Sequence, residues 1–297
     1  MMINDNRADI LSRLDAMLVK EATANTRCYD YFKRARGGCI DDLSRKAMVT
    51  WIQNVQQLLA LSPDTVCIAM SIFDRYLCSG RGGAVRALED ECKFQLAAIT
   101  SFYTAVKIHE PVVLGIDMLL VVCRHAYTED EFESMEMDIL SAIGWRVSCH
   151  TAIDYARALL ELIREDECLT SVMIRSLISD CERQMGVAIA DIRFSCLKQS
   201  ELGTRWVAIS VAENECLSLS EKEAVLTLLS ESCDINPSSI GGVAPWQYLA
   251  HSSPCKSNIV SKLGVSSQHQ PSVAISNYSN AGSSSPTSIF CRTARQA

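Results

Sequence analysis

From Ser44 to Tyr76 the chain reads SRKAMVTWIQNVQQLLALSPDTVCIAMSIFDRY. Ala47, Met48, Trp51, Val55, Leu58 and Leu59 fall on one helical face, so a helix is expected from about Ser44 to Leu61. Ser62-Pro63 then punctuates. A serine hydroxyl suits an N-cap, and proline suits the first helical position, where its missing amide hydrogen costs nothing. The next helix, Pro63 to Cys78, is apolar nearly all round, through Ile68, Met70, Ile72 and Phe73, and is therefore expected to be buried.

Outward from this pair the pattern stays helical. Upstream, Ile10, Leu14, Met17 and Leu18 form a stripe on an opening helix. Downstream, Gly80-Arg81-Gly82-Gly83 reads as a helix-breaking loop. A helix from about Cys92 to His109 carries Ala97, Ala98, Thr100, Ser101, Thr104 and Ala105. Small side chains let neighbours approach closely, which marks the centre of a bundle rather than its surface. Pro111 introduces a short helix, Val112–His125. Thr128-Glu129-Asp130-Glu131 is a capping box for a helix ending near Ile143, because hydroxyl and carboxylate each satisfy an orphan amide.

A second helical set opens at Thr151, with stripes over Ile153–Ile163, Leu169–Met185 and Leu202–Ala212. The last is again rich in small residues, and Ser220-Glu221-Lys222-Glu223 reads as a further box opening Ala224–Ser232. Val187–Lys198 is ambiguous. The expected fold is all-α: two tandem bundles, resembling a degenerate repeat. The boundaries are 1–43 (N-terminal helix and linker), 44–148 (first bundle), 149–235 (second bundle) and 236–297 (a tail containing Ser and Pro).

Composition bounds the function. The 297 residues carry −7 overall, but 235–297 hold four cationic side chains and no acid, so residues 1–234 carry −11. A body that acidic repels phosphate backbones, so no nucleic-acid partner is expected. The tail after Ala250 is rich in Ser, Asn, Gln, Gly and Pro with no apolar period, and is expected to be mostly disordered. It offers Ser253-Pro254 and Ser285-Pro286 as proline-directed phosphorylation sites. The first residues are too polar for a secretory signal, and no long apolar run is free of charge, so neither export nor a membrane partner is expected.

The fourteen cysteines come no closer than eleven residues, as in Cys28/Cys39 and Cys67/Cys78, and no C-x-x-C occurs. Zinc sites need close ligand pairs, so these thiols read as reduced, mostly buried hydrophobes; no metal and no cofactor are expected. The five histidines are not at ligand spacing, and no nucleophile–base set or phosphate-binding glycine loop after a strand is present. First-turn acids at 129–133 complement a helix dipole and need no metal. No catalytic residue is assigned.

Arg45-x-x-Met48-x-x-Trp51-Ile52, then Leu61, Val66, Ala69-Met70-x-Ile72-Phe73 and Asp74-Arg75-Tyr76, together resemble the cyclin box. The resemblance runs from about Ile10 to Ile163 and more weakly to about Ile235. Asp15–Glu21, Tyr31-Phe32 and Ser44–Trp51 look closest to D-type cyclins. It implies a non-catalytic subunit that binds and activates a cyclin-dependent Ser/Thr protein kinase in a G1/S-like step, in nucleus and cytoplasm, and helps recruit substrates. Lys107 and Glu136 match the two charges that cyclins present to the kinase. Arg45 and Asp74 match a structural ion pair. Ala47, Met48, Trp51, Phe94 and Gln95 match a shallow apolar patch that docks R-x-L-containing substrates or inhibitors.

Departures stand at Ser44, Thr50 and Asn54, where the docking patch has methionine or an acid, and at Ile108-His109-Glu110, which keeps one of two usual acids. The Ser79–Glu91 loop is longer than usual, and no L-x-C-x-E occurs. The alternative on the same fold is a transcription-associated factor or adaptor scaffold that activates no cell-cycle kinase.

Overall fold

Residues 3–24, 28–34, 40–165 and 169–232 are described by a computed structural model. Among them there is no strand; the elements are α1 (Ile3–Ala24), a 3-10 turn (Tyr31–Arg34), α2 (Asp42–Leu58), α3 (Pro63–Cys78), α4 (Gly82–Ala87), α5 (Glu91–His109), α6 (Ile116–Val122), α7 (Glu129–Ala142), α8 (Ala152–Glu165), α9 (Ser171–Ala188), α10 (Ile192–Ser195), α11 (Gln199–Glu213) and α12 (Leu219–Ser232). The expected disordered tail and its Ser253 and Ser285 lie outside the described residues.

The caps explain most boundaries. Ser62 accepts the Asp64 amide with Pro63 behind it, so α3 begins at the expected residue. Thr128 and Glu131 form the expected reciprocal box on α7. Helix α2 starts earlier than expected, because Asp41 accepts from the Ser44 amide at 2.9 Å and the Asp41 amide donates back to the Ser44 hydroxyl. It also ends earlier: Ala60 takes φ 50, and the Leu61 amide turns back to the Gln56 carbonyl. The last box is formed by Ser218 and Glu221, not by Ser220, so α12 opens at Leu219.

Two further expectations are corrected. The glycine-rich stretch is not wholly a loop. Gly80, at φ 66, ends α3, but Gly82–Ala87 coils into α4 and buries Ala84 and Ala87. Gly83 sits so close to Asp138 that an added Cβ would lie 1.6 Å from a carboxylate oxygen. The helix after Pro111 is shorter than expected: Gly115 caps α6, and Val112 and Val113 stay outside it and exposed.

Two hydrophobic cores result. The first packs Tyr31 with α2–α7, around an α5 whose Ala97, Ala98, Thr100, Ser101, Thr104 and Ala105 are all buried. The second packs α8, α9, α11 and α12, and takes α1 as an added helix through Ile10, Leu14 and Met17. Leu18, expected on that stripe, is exposed instead. Helices α8 and α11 cross closely at Gly203, where a Cβ would meet the Ala152 carbonyl at 2.4 Å. The bundles interlock, because Ile192 of α10 belongs to the first core, with Ile189 and Ala190 packed against it, whereas Ala188 before them and Phe194 and Leu197 after them go with the second. Arg157 on α8 ties them further, donating to Asp64 on α3 and to Glu182 on α9.

Candidate functional site

Lys107 lies in the last turn of α5, where unpaired carbonyls favour a cation. Glu136 lies mid-way along α7, 29 residues on. Packing of α5 against α7 sets the two side by side, with Lys107 Nζ 2.6 and 2.7 Å from the two Glu136 oxygens. The Thr104 hydroxyl, one turn back on α5, donates to Glu136 Oε1 at 2.9 Å, and Lys107 Nζ stands 4.7 Å from the centre of the Tyr103 ring. At the opposite end of α5, Tyr127 donates to Gln95 Oε1 at 2.7 Å and so ties the start of that helix to the entry of α7.

The pair is not closed off. The lysine and glutamate side chains are 40% and 18% exposed, beside a shallow cleft of about 150 Å³ floored by Ile116 and Phe132. Lysine has three donors and directs two of them at the Glu136 oxygens, and the carboxylate takes one further bond from Thr104, so each group keeps capacity for a partner. Ile108, Val112, Val113, Met118, Val121 and Met137 are exposed in the segments flanking the pair. Scattered apolar side chains are ordinary; several around one charged pair form a surface suited to a protein.

Arg45 and Asp74 form the opposite kind of pair. They are 0% and 1% exposed, joined by Nε to Oδ1 at 3.0 Å and Nη2 to Oδ2 at 2.7 Å. The remaining valences are filled from outside the box. Tyr31 donates to Asp74 Oδ1 and Ser195 to Oδ2, while Arg45 Nη1 reaches the Ile189 carbonyl at 2.7 Å. Burial disfavours the charge on Arg45, but adjoining Asp74 outweighs it and holds the guanidinium above its ordinary value. Burial, and then the Asp74 charge, push the Tyr31 phenol up. Nothing in the sequence points to Ile189 or Ser195, and Tyr31 stands out there only as part of the D-like Tyr31-Phe32 pair.

A family model described as the cyclin N-terminal domain matches residues 13–148. Cyclin-D4-2 of Arabidopsis thaliana is 28% identical over 187 residues, 60% of this chain and 59% of its own. Cyclin-B2-2 of Oryza sativa subsp. indica is 26% identical over 153 residues, 48% of this chain and 35% of its own. A viral cyclin from herpesvirus saimiri superposes with a TM-score of 0.56 at 14% identity, covering 75% of this chain and 96% of that one. Residues 13–148 form a cyclin N-terminal domain, and the chain as a whole has the cyclin fold. It spans between about a third and three fifths of the length of the two plant cyclins.

Within the cyclin box the docking-patch expectation needs correction. Met48, Phe94 and Gln95 are fully buried, and Trp51 nearly so. Phe73 packs edge-on against Phe94, and Gln95 keeps its carbonyl on Tyr127 while its amide nitrogen has no partner. Ala47 alone of the five is half-buried. Ser44, where the family patch begins with methionine, is a buried capping residue. These side chains are core, and the helical period could not distinguish a face covered by α5 from one open to a ligand. Glu110, the retained acid after Lys107, accepts from the Ser62 amide at 2.8 Å and so helps to hold the start of α3.

The buried thiols behave as small apolar core groups. Burial pushes Cys123 up to about 12 and Cys181 up to about 11, which keeps both protonated. Among the described residues no cluster of His, Cys, Asp and Glu is placed to hold a metal, and no helix is long and apolar enough to cross a membrane.

Proposed function

We propose that this chain binds and activates a cyclin-dependent Ser/Thr protein kinase through the face around Lys107 and Glu136. The observation that carries the reading is that pair, set side by side and half open among exposed apolar residues. A kinase of this class needs its αC glutamate placed to pair with the lysine that orders the ATP phosphates. A rigid bundle that binds only the αC-in state shifts that equilibrium without contributing a catalytic group. Moving it from 1:99 to 99:1 takes about 5.5 kcal/mol of differential binding. An apolar interface of about 2,000 Å² with a few charge-assisted anchors is of the right scale. The lysine suits a backbone carbonyl of the partner and the carboxylate a backbone amide.

We place the chain on the G1 side of the family. The D-like stretches at Asp15–Glu21 and Ser44–Trp51 support this, as does reach: matches to D-type cyclins extend over 55% to 65% of the chain, against 48% for the B-type relative cyclin-B2-2 and 50% for an A-type one. The decisive experiment is the double substitution Lys107→Ala with Glu136→Ala. Kinase co-purification and activation should both be lost while the helical circular-dichroism signal is unchanged. Activation retained at wild-type level would remove the assignment; binding by the wild-type chain without activation would favour an adaptor.

A further inference from the structure

Between α1, α3 and the second bundle lies a cavity of about 530 Å³, a size typical of small-molecule sites. Its walls come from three units of the fold: Leu18 and Ala22 of α1, Met70 and Ser71 of α3, and Leu202 and Trp206 of α11. Junctions between helical units are where such sites occur.

The wall chemistry restricts what fits. Both lining carboxylates are already engaged: Asp74 accepts from Arg45, Tyr31 and Ser195, and Glu21 accepts from the amide and hydroxyl of Ser200. Lys198 lies at the rim, about half exposed and 4.0 Å from Glu201. His150 is held below its ordinary value by burial and then by Lys20, so its imidazole is neutral at pH 7. The thiol of Cys67 is kept protonated by burial, and that of Cys149 accepts from Arg75 at 3.0 Å. What remains for a guest is apolar surface with a few uncharged hydrogen-bonding groups: the Ser71 hydroxyl, the His150 ring and the Gln199 amide.

We infer that this inter-bundle cavity is a binding site for an uncharged, mainly apolar small molecule with one or two neutral polar groups. An anion would lose its hydration and meet only the half-exposed ammonium of Lys198, with the carboxylates of Glu21 and Asp74 on the walls beside it, so the site discriminates on charge as well as size. A guest would touch both bundles and α1 at once, and so would stabilise their packing by mass action.

The experiment uses the full chain and two probes that share a skeleton, neutral N-phenyl-1-naphthylamine and its anionic relative 8-anilinonaphthalene-1-sulfonate. The neutral probe should bind saturably at one site and raise the thermal midpoint by about 5 °C at hundredfold excess over its dissociation constant. The sulfonate should bind at least about tenfold more weakly. Emission sensitised by tryptophan should fall most with Trp206→Phe, which lines the cavity. Ser71→Phe, which fills the cavity, should weaken the neutral probe at least about tenfold. Where that variant does not fold, Ala22→Phe, at an exposed rim position, should do the same. Non-saturable binding, equal affinity for the sulfonate, or undiminished affinity in a folded cavity-filling variant would overturn the inference.

Discussion

Arg45–Asp74 and Lys107–Glu136 lie in the same bundle, each joins two neighbouring helices, and their closest N···O separations are 2.7 and 2.6 Å. By distance they are indistinguishable. By surroundings they are opposites: the first is sealed in protein with every partner supplied by this chain, and the second opens to solvent among uncovered apolar side chains. Close approach of opposite charges therefore says little about what a pair does. Removing water from Arg45 and Asp74 is costly, and the cost is recovered only because the guanidinium and carboxylate are satisfied on all sides. At Lys107 water still competes, so the attraction is weak until a partner excludes it.

The largest effect expected from this contrast follows Arg45→Met. It leaves the Asp74 carboxylate buried without a counter-charge and strands the Ile189 carbonyl. The expected loss is about 3–5 kcal/mol in urea denaturation. Adding Asp74→Leu should recover part of it, since two apolar side chains are better buried than one unpaired charge. A loss below about 1 kcal/mol would mean that water reaches the pair, and the contrast would fail.

A smaller effect tests whether the buried pair also latches the two bundles. Ser195 bonds to both of its members, at 3.0 Å from Arg45 and 2.6 Å to Asp74. Ser195→Ala removes those bonds with little change in volume and should cost about 1–2 kcal/mol. The latch predicts where the loosening appears. Amide hydrogen exchange should quicken at Ile189–Leu197, which α10 holds against the first core, before it quickens in α5. Uniform acceleration across both bundles would make Ser195 an ordinary core contact.

How much of this was legible beforehand follows from the range of each interaction. Helices α3 and α7 were readable to within a residue because their caps are local, a hydroxyl and its amide within three positions. Helix α4 was missed because six residues beginning with two glycines look like a loop; its helicity rests on Ala84 and Ala87 finding a core from elsewhere. Ile189 enters the buried network through its backbone carbonyl, so no side-chain pattern could announce it. Ser195 meets Arg45 from 150 residues away. Residues 107 and 136 could be paired from the sequence only through the family resemblance. The burial of Met48 and Phe94 shows the converse limit, since a stripe reveals an apolar face but not what covers it.

The smallest expected effect on stability is also the one that separates the two pairs most directly. Lys107→Met repeats the chemistry of Arg45→Met, a long cation exchanged for a flexible apolar chain. Here Glu136 keeps its Thr104 bond and its access to water. Unfolding free energy should therefore change by no more than about 1 kcal/mol in either direction. If Lys107→Met costs as much as Arg45→Met, the lysine is part of the architecture and the distinction between sealed and open pairs is void. If stability is unmoved while kinase binding weakens in the same preparation, the two readouts divide as the geometry requires. A charge pair that can be broken without cost to the fold is kept for something outside it.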